Sequence, residues 1–166
     1  AALKNFGVKI LPTFRPDKAV EIGADGFNGY IEQTGAGTLD ELKQVLDERI
    51  GLFAANGCRL SDHGMGKVPY GEGDADAVFI KRMNGERITE EEAEIYKTDL
   101  LKRLGGQYSK RGWTMQLHMG ALRNNNSVMF RTAGPDSGFD SIGGSCDIEN
   151  LSGLLDSLEK NGNLGK

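Results

Sequence analysis

The chain has 166 residues, 38% hydrophobic and 27% charged, which is enough for one globular domain of ordinary composition and too polar for a membrane span. Twenty basic against 24 acidic residues leave a net charge of -4, so no electrostatic footprint for nucleic acid or an anionic membrane surface is present. Cys58 and Cys146 form no CxxC pattern, which argues against a disulfide framework or structural zinc and for a reducing cytoplasm.

The opening AALKNFGVKI carries no initiator Met and no signal-type apolar region; it reads as the last turn of a helix closed by Gly7, internal to a longer chain. Val8 to Phe14 is an apolar, β-favouring run stopped by Pro16, as expected of a parallel strand buried on both faces. Thr38-Leu-Asp-Glu41 is a capping box: the Thr38 hydroxyl can accept from the Glu41 amide while the Glu41 carboxylate reaches back. The helix it opens carries Leu39, Leu42, Leu46, Ile50 and Phe53 at steps of three and four, with Gly57 at the left-handed C-terminal position.

A short second strand is expected over Cys58 to Asp62, then a glycine-rich loop and a helix over Asp76 to Met83. A second capping box, Thr89-Glu-Glu-Glu92, opens a helix whose stripe is Ala93, Tyr96, Leu100, Leu104 and Tyr108. Trp113 to Leu122 reads as the third strand, followed by a long polar loop. Leu151, Leu154, Leu155 and Leu158 make a final helix ending at Gly162. Strand-helix alternation of this kind predicts an α/β fold with a parallel sheet, either a barrel or an open doubly wound sheet.

In such folds ligands bind at the carboxyl ends of strands. Three polar groups stand there: Arg15-Pro-Asp17-Lys18, Ser61-Asp62-His63, and His118 with Arg123-Asn124-Asn125-Asn126. Arg15 suits a carboxylate ligand, with Lys18 adding charge, but an Arg-Pro-Asp run equally makes an ion pair that fixes its own loop. Asp62 and His63 are suited to acid-base work. Neighbours on a strand point oppositely, however, so Asp62 as a helix cap or His63 as a hydrogen-bonded core residue are equal alternatives. His118 lies between Leu117 and Met119, which favours a core position; two histidines without an HxH pair make any metal site incomplete. Arg123 and Asn125 suit sugar hydroxyls or simple loop capping. The glycine pairs 35/37 and 71/73 match no nucleotide-binding pattern.

The strings LPTFRPDKA (11–19), FAANGCRLSDH (53–63), HMGALRNNN (118–126) and GPDSGFDSI (134–142) resemble uronate isomerase, in that family's order and over nearly the whole chain. The resemblance implies an amidohydrolase-type (β/α)8 barrel that interconverts aldehyde-form hexuronates with their ketoses. Residues 1–166 would then be a single partial domain, the central segment of the barrel, with about three strand-helix units. It further implies that Arg15 binds the substrate carboxylate, that Asp62 moves protons at a hydroxyl, and that His118 neighbours or ligates a divalent metal such as zinc. His63, Arg123 and Asn125 would support the site. The partner would be a small hexuronate, with no nucleic acid or membrane, in a cytoplasmic and homo-oligomeric enzyme. The family's N-terminal HxH pair and C-terminal metal-binding Asp are absent from these residues, so the expectation for this segment alone is inactivity and association through open sheet edges. The alternatives are a non-catalytic module that binds acidic sugars and a purely structural helical domain.

Overall fold

A computed structural model describes residues 7–144 and 147–165. The elements, in chain order, are α1 (Asp17–Val20), α2 (Phe27–Thr34), α3 (Leu39–Ala55), β1 (Leu60–Met65), α4 (Ala75–Met83), α5 (Glu90–Ser109), β2 (Thr114–Met119), β3 (Ala121–Leu122), α6 (Ser127–Ala133), β4 (Ser141–Ile142) and α7 (Ile148–Lys160). The helical turn expected ahead of Gly7 and the position of Cys146 lie outside the described residues.

Both capping boxes form as the sequence dictates. The Glu41 amide donates to Thr38 Oγ1 at 3.2 Å and the Glu92 amide to Thr89 Oγ1 at 3.1 Å, with each glutamate returning to its cap's backbone amide. On α3 the stripe Leu39, Leu42, Leu46 and Ile50 is buried, each side chain contributing about 2 kcal/mol of apolar burial. Helix α5 lies at the centre of the packing and touches α1, α3, α4, α7 and β2. Its Tyr96 packs edge-on against Phe27 and donates its hydroxyl to the Ala19 carbonyl at 2.8 Å, while Tyr108 stacks on Trp113 and meets Phe14 edge-on.

The sheet at the heart of the fold is parallel, with β1 beside β2 in the register Asp62 to Gln116 and Gly64 to His118. Phe14 adds a single parallel bridge on the other side of β1, through Phe14 N to Leu60 O at 3.2 Å and Asp62 N to Phe14 O at 2.9 Å. The two faces of this sheet differ. Ser61 and His63 are fully buried toward the helices, whereas Thr114, Gln116 and His118 of β2 are exposed and alternate with the half-buried Met115, Leu117 and Met119. Among the described residues no helix is long and apolar enough to cross a membrane.

Four expectations need correction. Val8 to Phe14 is not a strand buried on both faces, because only Phe14 pairs, while Val8 is 63% and Ile10 57% exposed; apolar character cannot supply the neighbouring strand such a run requires. The second strand runs past Asp62 to Met65, held by its ladder to β2, so Asp62 and His63 lie within it and not in the loop after it. The third strand breaks at Gly120, whose φ of 72° suits glycine and turns the chain into the short antiparallel pair β3–β4. The long polar loop contains α6, capped by Asn126, and its Val128 is 60% exposed. Helix α2 also went unpredicted, since Phe27 and Ile31, its two buried side chains, are too few to make a readable stripe.

Candidate active site on the open face of the sheet

Asp62 and His118 sit on adjacent strands two residues apart in register, since Asp62 pairs with Gln116 and Gly64 with His118, so both side chains emerge on the same face of the sheet, the one that the helices leave open. His118 Nδ1 stands 3.9 Å from Asp62 Oδ1, a separation that becomes an ion pair when the imidazole is protonated. Asp62 Oδ1 is buried without a hydrogen-bond partner, and an orphan carboxylate oxygen of this kind is primed to accept a donor. The other oxygen, Oδ2, lies 3.3 Å from Arg15 Nη1. Arg15 reaches this spot because it directly follows Phe14, the residue bridged to β1.

Asp17 completes the group. Its Oδ2 accepts from Arg15 Nε at 2.7 Å and its Oδ1 from the Gly64 amide at 3.2 Å. The alternative reading of Arg-Pro-Asp as an ion pair is therefore realised, and the same arginine also faces Asp62. The hydrogen bond and charge of Asp17 hold the Arg15 guanidinium firmly protonated. Gly64 matters here because a Cβ at that position would lie 2.7 Å from Arg15 Nη2 and 3.2 Å from Asp17 Oδ2. A side chain at position 64 would therefore have to displace the guanidinium from where it rests. Arg15, Asp17, Asp62 and His118 together present one fixed cation, two carboxylates and an imidazole, a set able to bind an anion and move a proton.

The remaining expected site residues are placed elsewhere. His63 points to the opposite face of the sheet; it is 0% exposed, lies 5.7 Å from the Tyr108 ring centre, and has no hydrogen-bond partner on either nitrogen. It is a core residue, as one alternative held, but not a hydrogen-bonded one. Burial pushes its pKa down to about 4 against the opposing pull of Asp17 and Asp62. Arg123 pairs with Asp140 at 2.6 Å, and Asn125 joins Ser141 through its side chain and Phe139 through its amide, which ties the segment around β3 to the segment around β4. The Asn124 amide and Arg123 hold the Asp140 carboxyl below its usual range. His118 is not a core residue, its side chain being 47% exposed. Lys18 is exposed and makes no contribution to the Arg15 cluster. Cys58 is buried, its thiol directed at the Leu60 carbonyl. Asp17, offered by the sequence only as the ion-pair partner of Arg15 in its own loop, is thereby brought into the site as well.

Among the described residues no group of three or more His, Cys, Asp or Glu side chains converges as a metal site requires. His118 and Asp62 supply two donors, short of the three protein ligands a catalytic zinc takes, so the described residues do not by themselves make a complete metal centre.

A family model described as "Glucuronate isomerase" matches residues 1–166. The uronate isomerase of Histophilus somni is 46% identical over 171 residues, covering 97% of this chain and 37% of that protein. That of Halalkalibacterium halodurans is 45% identical over 170 residues, covering 97% and 36% respectively. The chain thus spans little more than a third of the length of these relatives. Among solved structures, the uronate isomerase of Thermotoga maritima superposes with a TM-score of 0.83 at 33% identity, covering 99% of this chain and 38% of the other. A glucuronate isomerase from Caulobacter crescentus shares the fold, with a TM-score of 0.67 at 23% identity over 88% of this chain and 32% of its own. The partial parallel sheet backed by helices fits a segment of a barrel. On the full-length match and these relatives, the chain belongs to the glucuronate isomerase family.

Proposed function

We propose that residues 1–166 are one partial domain, the central segment of a (β/α)8 barrel, within a longer hexuronate aldose-ketose isomerase. The reaction would convert D-glucuronate to D-fructuronate and D-galacturonate to D-tagaturonate. In it C2 loses a proton, an enediol forms, C1 gains a proton, and the carbonyl moves from C1 to C2 with no net oxidant or reductant. The observation that carries this reading is the juxtaposition of Arg15, Asp62 and His118 on the open face of the parallel sheet, within a chain of this family.

The two oxygens of Asp62 separate the roles. Oδ2 faces Arg15, whose remaining N–H groups suit the sugar carboxylate as a planar donor fork. Oδ1, unpartnered and directed at His118, suits a hydroxyl proton that must be taken up and returned. A divalent metal, zinc by the resemblance, would take His118 as one ligand, with its others outside these residues. His63, behind the sheet, has no part in this chemistry, and Arg123 with Asn125 would act on the site only through the segment they tie together. A small hexuronate is the sole substrate class this reading needs, and a cytoplasmic location and a homo-oligomer accompany it.

The test is ketose formation from D-glucuronate by the full-length, metal-loaded enzyme carrying this segment, beside Asp62→Asn, His118→Ala and Arg15→Ala. Wild-type turnover, reduced by about a hundredfold or more in the first two variants with the circular dichroism spectrum retained, is the expected result. A folded, metal-loaded enzyme that binds hexuronate without turnover would replace this reading by that of an acidic-sugar binding module.

A further inference from the structure

Arg15 is half-exposed and lies within reach of two carboxylates. Left to itself, a guanidinium beside Asp62 would close onto it as a two-point pair, the geometry in which an arginine and a carboxylate attract most strongly. That closure would spend the donors needed for a substrate and cover the carboxylate oxygens needed for a proton. The observed arrangement is different: Arg15 is bonded through Nε to Asp17 at 2.7 Å, while only Nη1 approaches Asp62, at 3.3 Å.

From this geometry we infer that Asp17, together with Gly64, is a positioning residue that holds the Arg15 fork in its substrate-binding orientation and keeps Asp62 Oδ1 free of the guanidinium; the inference rests on the hexuronate reading above. Asp17 can do this because it is itself held at both oxygens. Oδ2 takes the Arg15 Nε–H, and Oδ1 takes the Gly64 amide, so the carboxylate staples the segment after Phe14 to the backbone of β1. Asp17 stands in the first turn of α1, directly after Pro16, whose ring restricts the backbone between the two paired residues. Gly64 supplies the complementary half. Nη2 of Arg15 rests where a Cβ would come within 2.7 Å, so the guanidinium lies against bare backbone. Of the five N–H donors of an arginine, one is committed to Asp17, and those of Nη1 and Nη2 not directed at Asp62 remain for an incoming carboxylate. Asp17 touches no substrate in this arrangement and acts through Arg15.

The experiment is a double-mutant cycle in the full-length, metal-loaded enzyme: wild type, Asp17→Asn, Arg15→Ala and both together, with Gly64→Ala as an independent second perturbation. KM and kcat are measured for D-glucuronate, and binding of D-glucuronate is compared with binding of D-glucose, which lacks the carboxylate. Asp17→Asn should raise KM for the hexuronate about tenfold, the scale of one lost charge-assisted hydrogen bond, with a smaller fall in kcat. The preference for glucuronate over glucose should narrow by the same factor. Gly64→Ala should change both in the same direction, and Asp17→Asn should add nothing once Arg15 is alanine. An unchanged KM, or an equal loss with and without Arg15, overturns the positioning role and leaves the isomerase reading standing. Failure of the wild-type enzyme itself to convert hexuronate overturns the isomerase reading, and this inference falls with it.

Discussion

The imidazole of His63 rests 5.7 Å from the ring centre of Tyr108, tilted by 45°, in the layer between β1 and α5. Neither polar group is hydrogen-bonded: both His63 nitrogens and the Tyr108 hydroxyl are buried and unpartnered, as is the hydroxyl of Ser61. Ser61 lies near enough to pull the Tyr108 phenol down slightly against the larger upward push of burial, yet the two oxygens do not meet in hydrogen-bonding geometry. Polar groups buried in this way are held by the packing around them, and that makes their contribution to stability measurable.

His63 should make stability depend on pH. Its folded pKa is lowered to about 4 by burial, from an ordinary value of 6.5. Between those values the unfolded chain binds the extra proton and the folded chain does not. Stability therefore rises with pH through that window, is complete above pH 6.5, and is lost progressively as pH falls toward 4. The difference amounts to on the order of 3 kcal/mol. Urea unfolding at pH 4.5 and 7, compared between wild type and His63→Gln, measures it; the variant should show a clearly flatter dependence, and an equal slope in both would contradict a buried neutral imidazole.

Two tyrosines of α5 should respond oppositely to loss of their hydroxyls. Tyr96→Phe removes the 2.8 Å bond to the Ala19 carbonyl and should cost about 1 kcal/mol, the usual net value of such a bond. Tyr108→Phe removes a hydroxyl that has no partner and should be neutral or stabilising. The difference between the two urea midpoints is the quantity to measure. Equal destabilisation would mean that Tyr108 has a partner, such as a buried water, in solution.

The capping boxes should be separable from the site. Thr38→Ala and Thr89→Ala each delete a side-chain acceptor for an otherwise unpaired helix amide, at a cost of about 1 kcal/mol. Both caps are exposed and far in sequence from Arg15, Asp62 and His118, so their losses should add in the double variant. Marked non-additivity in thermal unfolding would show that the starts of α3 and α5 are coupled through the packing between those helices.

What the sequence determined by itself is what depends on near neighbours. The capping boxes at Thr38 and Thr89 and the stripes of α3 and α5 were legible because helix bonds and cap bonds span three or four residues, and the burial of Leu42, Leu46, Tyr96, Leu100 and Leu104 follows from that period. The Arg15–Asp17 ion pair was legible for the same reason, since the partners are two residues apart. Family membership was legible in the strings around Arg15, Asp62 and His118. The tertiary structure alone decided the rest, because strand partners and sheet faces are set by residues distant in sequence. The parallel register of β1 against β2 brought Asp62 beside His118 on the open face and turned His63 into the core, although Asp62 and His63 are adjacent and looked equally suited to acid-base work. The same pairing carried β1 on to Met65 and placed Gly64 under the Arg15 guanidinium, a contact that no periodicity could announce. Val8 and Ile10 show the converse, since an apolar run becomes a strand only where another strand satisfies its amides, and here only Phe14 finds one.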